Sequence, residues 1–336
     1  MPETRKSAQS GQQEKATNER GLRRDLPSIQ AIVSVLQEGG HLALSVSGGK
    51  DSQVLVRRVL AEPALSPFKE RMFVIHADLG RAEWSETPAH VEIIAEEAGL
   101  PLVIVRREGG DLYERFEQRE RKLEGTGKPH WPSAAARYCT SDLKRGPINK
   151  YLRRYDRVIS VEGIRAQESS ARAKKDALVV RKAITTKRLK ESTADEAIAR
   201  HLEKNDKGRL GLTWRPILDF TLEDVWYWLG TSKNDVARRR MLYSEGKTEA
   251  ALDGWGAHIA YVRGNRRLSC AFCILAGERD LRNAARHEPE KLHYLAEMER
   301  RTGFTFKQDF SLAELEEEIK NGKAVDSGVG EELSLF

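Results

Sequence analysis

The stretch Ser45-Val-Ser-Gly-Gly-Lys-Asp-Ser52 decides the fold class of this chain. It follows an apolar run, Leu42–Val46, that predicts a short buried strand, and it opens Asp51–Leu60, whose apolar residues recur at helical spacing. The two glycines let backbone N–H groups approach a phosphate closely, and the helix N-terminus adds a positive dipole end. The stretch therefore predicts a phosphate-binding loop, with a plain Gly-Gly turn as the alternative. Its residue spacing differs from the G-x-x-x-x-G-K-[ST] spacing of the Walker A phosphate loop.

Strands and helices alternate on both sides of this loop. Further strands are predicted at Met72–His76, Leu102–Val105 and Arg157–Val161. Ser28 can cap a helix over Ile29–Leu36, and Thr87 can cap another that has Pro88 at its first position. This alternation predicts an α/β fold, a doubly wound and mostly parallel sheet covered on both faces, with a smaller C-terminal helical region. Ligands of such sheets bind beyond the carboxyl ends of the strands.

The chain divides into four predicted regions. Residues 1–24 are polar and are expected to be unordered, and residues 25–220 form the nucleotide-binding domain. Residues 221–303 form a helical region that begins with a Thr221 and Asp224 capping box. Residues 304–336 comprise a helix begun by Ser311 and an acidic, flexible tail.

Composition limits the class of protein and its compartment. Of the 336 residues, 39% are hydrophobic and 32% charged, which indicates a globular protein. No apolar run is long enough for a membrane span and no signal peptide is evident, so we expect a cytoplasmic location. The net charge is +6, and residues 172–190 hold eight Lys or Arg against one acid. Three cysteines, an odd number, favour metal or redox chemistry over a disulfide framework.

Four ordered motifs between Leu42 and Ala285 resemble the phosphoadenosine phosphosulfate (PAPS) reductase family of the PP-loop adenine nucleotide alpha hydrolase superfamily. The first is the S-G-G-x-D-S of the phosphate loop. The others are His76-Ala-Asp-Leu-Gly80, Gly163-Ile-Arg-Ala-Gln-Glu-Ser-Ser-Ala-Arg172 and the block from Trp214 to Trp226. The resemblance implies a PP-loop, Rossmann-like domain that binds ATP or a sulfonucleotide.

The resemblance also implies which residues bind the nucleotide. The phosphates would be held by the loop residues Ser47, Gly48, Gly49, Lys50, Asp51 and Ser52, with Asp51 also placed to hold Mg²⁺. Asp78 would lie near the adenosine, and Gly163, Arg165 and Arg172 would meet the phosphate or sulfate end. The alternatives are a strand-end turn for Asp78 and a solvated basic stretch for the arginines.

The cysteines predict a metal centre. Cys270-Ala-Phe-Cys273 is a C-x-x-C that can bind zinc or an iron–sulfur cluster, or act as a redox dithiol. The surroundings of Cys139 resemble the segment where cluster-bearing family members place a ligand. Three thiolates on a [4Fe-4S] cluster would leave one iron open. A Zn²⁺ site with His258 or another histidine as fourth ligand, or a fortuitous group of buried cysteines, remains the alternative.

The position of the cysteines also bears on the reaction. Thioredoxin-linked PAPS reductases attack with a cysteine near the C-terminus, and no cysteine follows Cys273. We therefore favour relatives that use ATP to activate an oxygen and exchange it for sulfur, as in Dnd-type DNA phosphorothioation, with Asp51, Arg165 and Cys139 as catalytic residues and a sulfur donor protein as a partner. The alternatives are a sulfonucleotide (PAPS or APS) reductase that uses an external thiol, and a clamp-tethered DNA-binding accessory regulated by nucleotide.

The C-terminus predicts a further partner. Glu332-Leu-Ser-Leu-Phe336 resembles the bacterial sliding-clamp peptide Q-L-[SD]-L-F, and the apolar side chains among Leu333, Ser334, Leu335 and Phe336 can fill a small pocket. Clamp docking would place the protein on DNA, which the basic 172–190 stretch also suits. A solvated tail is the alternative.

Overall fold

Six strands form one sheet in the computed structural model, which describes residues 26–203 and 208–322. The strands are β1 (His41–Ser45), β2 (Met72–Ala77), β3 (Leu102–Val105), β4 (Arg157–Glu162), β5 (Leu178–Val180) and β6 (Leu210–Trp214). Their order in the sheet is β3-β2-β1-β4-β6-β5. Every pairing is parallel except that of β5 with β6. The predicted doubly wound, mostly parallel α/β sheet is confirmed.

Helices follow the strands and then continue alone to the end of the described chain. They are α1 (Ile29–Gln37), α2 (Lys50–Leu60), α3 (Thr87–Ala98), α4 (Leu112–Leu123), α5 (Gly146–Leu152), α6 (Ser170–Ala173), α7 (Ala194–Glu203), α8 (Leu222–Trp228), α9 (Lys233–Ser244), α10 (Thr248–Leu252), α11 (Glu278–His287), α12 (Pro289–Thr302) and α13 (Leu312–Lys320). A π-helical segment, Cys139–Arg145, leads directly into α5.

The core explains why β1 lies at the centre. Leu42, Ala43 and Leu44 are fully buried, because helices cover both faces of the parallel sheet. One face packs against α1, α2 and α3, while Phe73 and Ile75 belong to a cluster on the other face. A third cluster unites the C-terminal helices with the chain after β2. The phosphate loop, which directly follows β1, therefore lies at the carboxyl edge of the buried sheet.

Local predictions succeed where side-chain chemistry fixes the backbone. Thr221 accepts a hydrogen bond from the Asp224 N–H in a capping box, and Ser311 caps α13. Thr87 instead lies inside α3, which begins one residue earlier than predicted. Ser28 holds the N-cap position of α1 without a side-chain capping bond.

Within residues 26–203 and 208–322, no helix is both long and apolar enough to cross a bilayer. The N-terminal region 1–24 and the clamp-like residues 333–336 lie outside the described residues. The four predicted regional boundaries stay predictions.

Candidate functional site

The phosphate loop is folded tightly by its own side chains and by one distant tyrosine. Gly48 has a φ of 74°, a conformation that side chains rarely adopt. The Ser52 Oγ accepts the Ser47 N–H at 3.2 Å and donates to the Gly49 carbonyl at 2.8 Å. The first N–H of α2, that of Lys50, donates to the hydroxyl of Tyr261 at 3.0 Å. The loop is therefore held in place before any ligand binds.

Gly163 brings the end of β4 against this loop. A Cβ at Gly163 would lie 2.7 Å from the carbonyl oxygen of Asp51 and 3.1 Å from the Cα of Ser52. Both neighbours are backbone atoms that cannot turn aside. A glycine is required because the two segments touch, and the contact sets the position of Arg165 relative to α2.

Asp51 is clamped between two cations. Its Oδ1 accepts a hydrogen bond from the Arg165 Nε at 2.5 Å, and its Oδ2 lies 3.2 Å from the Lys50 Nζ. Burial raises the pKa of Asp51, but the charges of Lys50 and Arg165 outweigh it and hold that pKa below its ordinary value. Both oxygens are engaged, and a Mg²⁺ ion bound there would share them with Lys50 and Arg165.

Lys50 is anchored rather than extended toward solvent. Lys50 is 5% exposed. Its ammonium group lies 5.1 Å from the ring centroid of Tyr261 and 5.9 Å from that of Trp226. Cation–π contacts of this kind attract an ammonium group to the faces of aromatic rings. The positive charge of Lys50 is therefore fixed at the base of the phosphate loop.

Positive charge accumulates beside the loop. Arg172 pairs with Glu168, which also accepts the Arg165 N–H at 3.0 Å. Burial lowers the pKa of Arg172, and the nearby charges of Arg267 and Arg165 lower it further. Guanidinium groups crowded in this way repel one another, so an anion bound among them is stabilised.

Two adjacent cavities occupy the carboxyl edge of the sheet. The smaller, about 210 Å³, is lined by the loop and by Arg172, and the larger, about 420 Å³, extends toward the cysteines. They share six lining residues, namely Ser47, Ser52, Gly163, Ile164, Arg267 and Leu268. Together the cavities are of the size that small-molecule ligands occupy, about 300–1,000 Å³.

The three cysteines meet in the larger cavity. Cys139, Cys270 and Cys273 all line it, although Cys139 is distant from the other two in sequence. Burial raises the pKa of Cys139, and burial together with the neighbouring thiols raises that of Cys270 to about 12. The nearby charge of Lys144 opposes both shifts. Buried thiols with raised pKa values become good ligands only when a metal stabilises the thiolates.

Three thiols that line one cavity are donors of the type that thiolate-bound metal centres use. In the part of the chain that the structure describes, the one group of three His, Cys, Asp or Glu residues whose ligand atoms all lie within 4.8 Å of one another is His293, Glu297 and Glu316. The thiols are spread more widely than that. Zinc, with Zn–S bonds of about 2.3 Å, would draw its sulfurs to within roughly 4 Å.

The predicted fourth zinc ligand lies elsewhere. The Nδ1 of His258 accepts the Ala260 N–H at 3.1 Å, and its Nε2 lies 3.2 Å from the Thr87 Oγ1. Both ring nitrogens are therefore engaged, and His258 lines neither cavity. The zinc alternative would need another fourth ligand or a rearrangement of this histidine.

Asp78 occupies a turn at the end of β2. Its Oδ1 accepts the Gly80 N–H at 2.6 Å, and its Oδ2 pairs with the Arg106 Nε at 2.6 Å. It lines neither cavity. The structure thus gives it the strand-end role that was the alternative reading, and its contact with an adenosine stays a prediction.

Several cavity residues were not predicted as site residues. Glu83 lines the larger cavity, and Arg267 lines both. His76 also lines the larger cavity; it is the first residue of the His76–Gly80 motif, but no role was predicted for it. Tyr261 reaches the loop from the C-terminal helical region, so only the folded chain brings its hydroxyl to Lys50.

Known proteins are similar to this chain. The family described as phosphoadenosine phosphosulfate reductase domain matches residues 41–273. The chain is 28% identical over 298 residues to an uncharacterized 37.8 kDa protein, in the gpa 5′ region, of Escherichia phage 186; the match covers 76% of this chain and 74% of the phage protein. It is 26% identical over 260 residues to an uncharacterized protein of Methanocaldococcus jannaschii; that match covers 77% of this chain but 48% of the archaeal protein, so the chain spans about half of that relative.

A solved structure is also similar. The phosphate complex of phosphoadenylyl-sulfate (PAPS) reductase from Candida auris matches with 11% sequence identity and a TM-score of 0.38. The match covers 65% of this chain and 84% of that one.

Proposed function

The chain belongs to the phosphoadenosine phosphosulfate reductase domain family, and from this premise we propose that it is an enzyme that binds ATP, cleaves its α–β bond and transfers sulfur to the activated acceptor. One observation carries the proposal. The cavity of the phosphate loop and the cavity of the three cysteines share a wall, in which Ser47 and Arg267 line both. A nucleotide at the loop would therefore lie next to the thiols.

The residues at the loop suit phosphoryl chemistry. The acceptor oxygen attacks the α-phosphorus of ATP, the α–β bond breaks, and pyrophosphate leaves with the electron pair. Backbone amides at Gly48 and Gly49, together with Arg165 and Arg172, stabilise the charge that develops on the phosphate oxygens. Arg165 is preorganised for this role because Asp51 holds its Nε at 2.5 Å. A reduced sulfur nucleophile then replaces the adenylated oxygen, and AMP leaves.

Cys139, Cys270 and Cys273 would hold a [4Fe-4S] cluster at the other end of this space. When bound, such a cluster supplies an iron without a protein thiolate, open to a sulfur or substrate atom. Anaerobic purification with quantification of iron, sulfide and zinc tests this assignment. About four irons per chain would support the cluster, and zinc alone would remove it from the proposal.

DNA is the acceptor that we favour. Within the basic 172–190 stretch, Lys174, Lys175 and Lys187 are exposed, and cations in such a position can bind a phosphate backbone. The clamp-like end, Leu333–Phe336, offers a way to reach DNA, and its deletion should abolish clamp binding without changing pyrophosphate release.

One experiment separates the candidate functions. The purified protein is incubated with ATP, duplex DNA and a sulfide source, and pyrophosphate and DNA-bound sulfur are measured. Sulfur transfer that Cys139→Ser abolishes supports the proposal. Pyrophosphate release without transfer, unchanged in Cys139→Ser, favours a nucleotide-regulated DNA-binding accessory.

Sulfonucleotide reduction is the second candidate function, and the family match favours it. The chain has no cysteine after Cys273, so this reaction needs an external thiol as reductant. Release of sulfite from PAPS or APS in the presence of a dithiol, with no pyrophosphate formed from ATP, would replace our proposal with this one.

A further inference from the structure

A buried histidine and a buried glutamate connect the phosphate loop to the segment that carries the cysteine pair. His76 is 3% exposed and Glu83 is 8% exposed, and both line the larger cavity. The Nδ1 of His76 lies 2.9 Å from the carbonyl oxygen of Val46, the residue before Ser47. Its Nε2 lies 3.2 Å from the Oε2 of Glu83. The imidazole ring thus bridges the loop and the glutamate.

The chemistry of the two contacts fixes the ring. A carbonyl only accepts, so the Nδ1 of His76 carries a proton and donates it to Val46. Burial lowers the pKa of His76, but the hydrogen bond and negative charge of Glu83 outweigh it, and the pKa is raised. When it is protonated, the Nε2 of His76 donates to the Glu83 carboxylate. The ring cannot turn without breaking both bonds.

Glu83 is itself fixed from two sides. The Lys291 Nζ donates to the Glu83 carbonyl at 2.6 Å. The preceding residue, Ala82, accepts the N–H of Ala271 at 2.9 Å, and Ala271 lies between the two cysteines of the C-x-x-C. Hydrogen bonds therefore connect Val46 to His76 and His76 to Glu83. The backbone of Glu83 continues to Ala82, which is bonded to the cysteine segment.

Packing alone does not account for this pair. A buried ion pair is on average no more stabilising than apolar side chains of similar volume, because both charges lose their hydration. Val46 is also held on its other side, where its N–H donates to the Ile75 carbonyl at 3.0 Å. Both backbone groups of Val46 are thus bonded to β2, which fixes the orientation of the chain where it enters the phosphate loop.

We propose that His76 is a positioning residue of the phosphate loop, which it orients through the Val46 carbonyl while Glu83 holds its ring in place. The inference rests on the proposed nucleotide site. It adds to that site His76, the first residue of the His76–Gly80 motif, for which no role was predicted. Its action is indirect, through the backbone that carries Ser47 and the two glycines.

Two substitutions separate the two bonds of the ring. In His76→Asn, the side-chain amide can take the place of Nδ1 and donate to Val46, but it cannot reach Glu83. In His76→Gln, the amide can reach Glu83 but leaves Val46 without its donor. Calorimetric titration with ATP and with inorganic pyrophosphate measures the loop directly, and thermal unfolding of each variant measures the structural cost.

The affinities of the two variants should differ. His76→Gln should bind ATP and pyrophosphate about tenfold more weakly than the unmodified protein, and His76→Asn within about threefold of it. A merely structural histidine would lower the unfolding temperature in both variants and leave their affinities equal. If His76→Gln does not fold, Glu83→Gln provides a second comparison, with an expected loss of about threefold.

The outcomes distinguish this inference from the function on which it rests. Equal affinities of the Asn and Gln variants would overturn the positioning role alone. If the unmodified protein binds neither ATP nor pyrophosphate, the nucleotide site fails and the positioning role fails with it.

Discussion

Gly163→Ala should damage the phosphate site through backbone contact alone. The added Cβ would lie 2.7 Å from the Asp51 carbonyl oxygen, and ordinary contact begins at 3.4 Å, so β4 and α2 must separate by about 0.7 Å. Overpacking of this kind costs about 1–3 kcal/mol of the free energy of unfolding. Misplacement of a binding group by about 1 Å can reduce a reaction rate about 100-fold. We therefore expect pyrophosphate release to fall between about ten- and a hundred-fold.

The assay pairs this variant with a control glycine. At Gly256 a Cβ would meet its nearest neighbour, the Arg57 Nη2, at 3.9 Å, which is ordinary contact. Gly256→Ala should therefore keep the unfolding free energy and the rate of the unmodified protein. Urea unfolding and pyrophosphate release from ATP are measured for both variants. A Gly163→Ala protein that matches the control in both measurements would refute the argument that this close approach positions the site.

Three other substitutions test single contacts. Tyr261→Phe removes the hydroxyl that accepts the Lys50 N–H at 3.0 Å and should lower the free energy of unfolding by about 1 kcal/mol in urea titrations; an unchanged value would show that water replaces it. Arg165→Lys keeps the charge but loses the planar guanidinium, so ATP should bind about tenfold more weakly by calorimetry; equal binding would mean that charge alone suffices. Burial, with nearby positive charge, lowers the pKa of His258 from 6.5 to about 3, so its neutral form stabilises the fold fully above pH 6.5 and progressively less as the pH falls below it. His258→Asn keeps an acceptor for the Ala260 N–H, so its unfolding free energy should depend less on pH between 6.5 and about 4; an identical slope would contradict the assignment.

Sequence reasoning succeeded where the signal is local. The strand, Gly-Gly turn and helix around Ser45–Ser52 follow from hydrophobic spacing and glycine conformation, which neighbouring residues set. The capping box of Thr221 and the N-cap of Ser311 follow for the same reason. The two strands at the far edge, β5 and β6, have only short hydrophobic patterns. They form strands because β6 pairs with β4 and β5 pairs with β6.

By itself, the sequence determined the class of fold, the strand–turn–helix of the phosphate loop and the family, because each strand, helix and motif can be identified within a short segment of the chain. The resemblance implied that Cys139 joins Cys270 and Cys273, and the tertiary structure alone decided that the cavity which all three line adjoins the loop. It also decided that His76 bridges Val46 and Glu83. Contacts of this kind depend on how the sheet and the C-terminal helices pack, and packing is a property of the whole chain rather than of any segment.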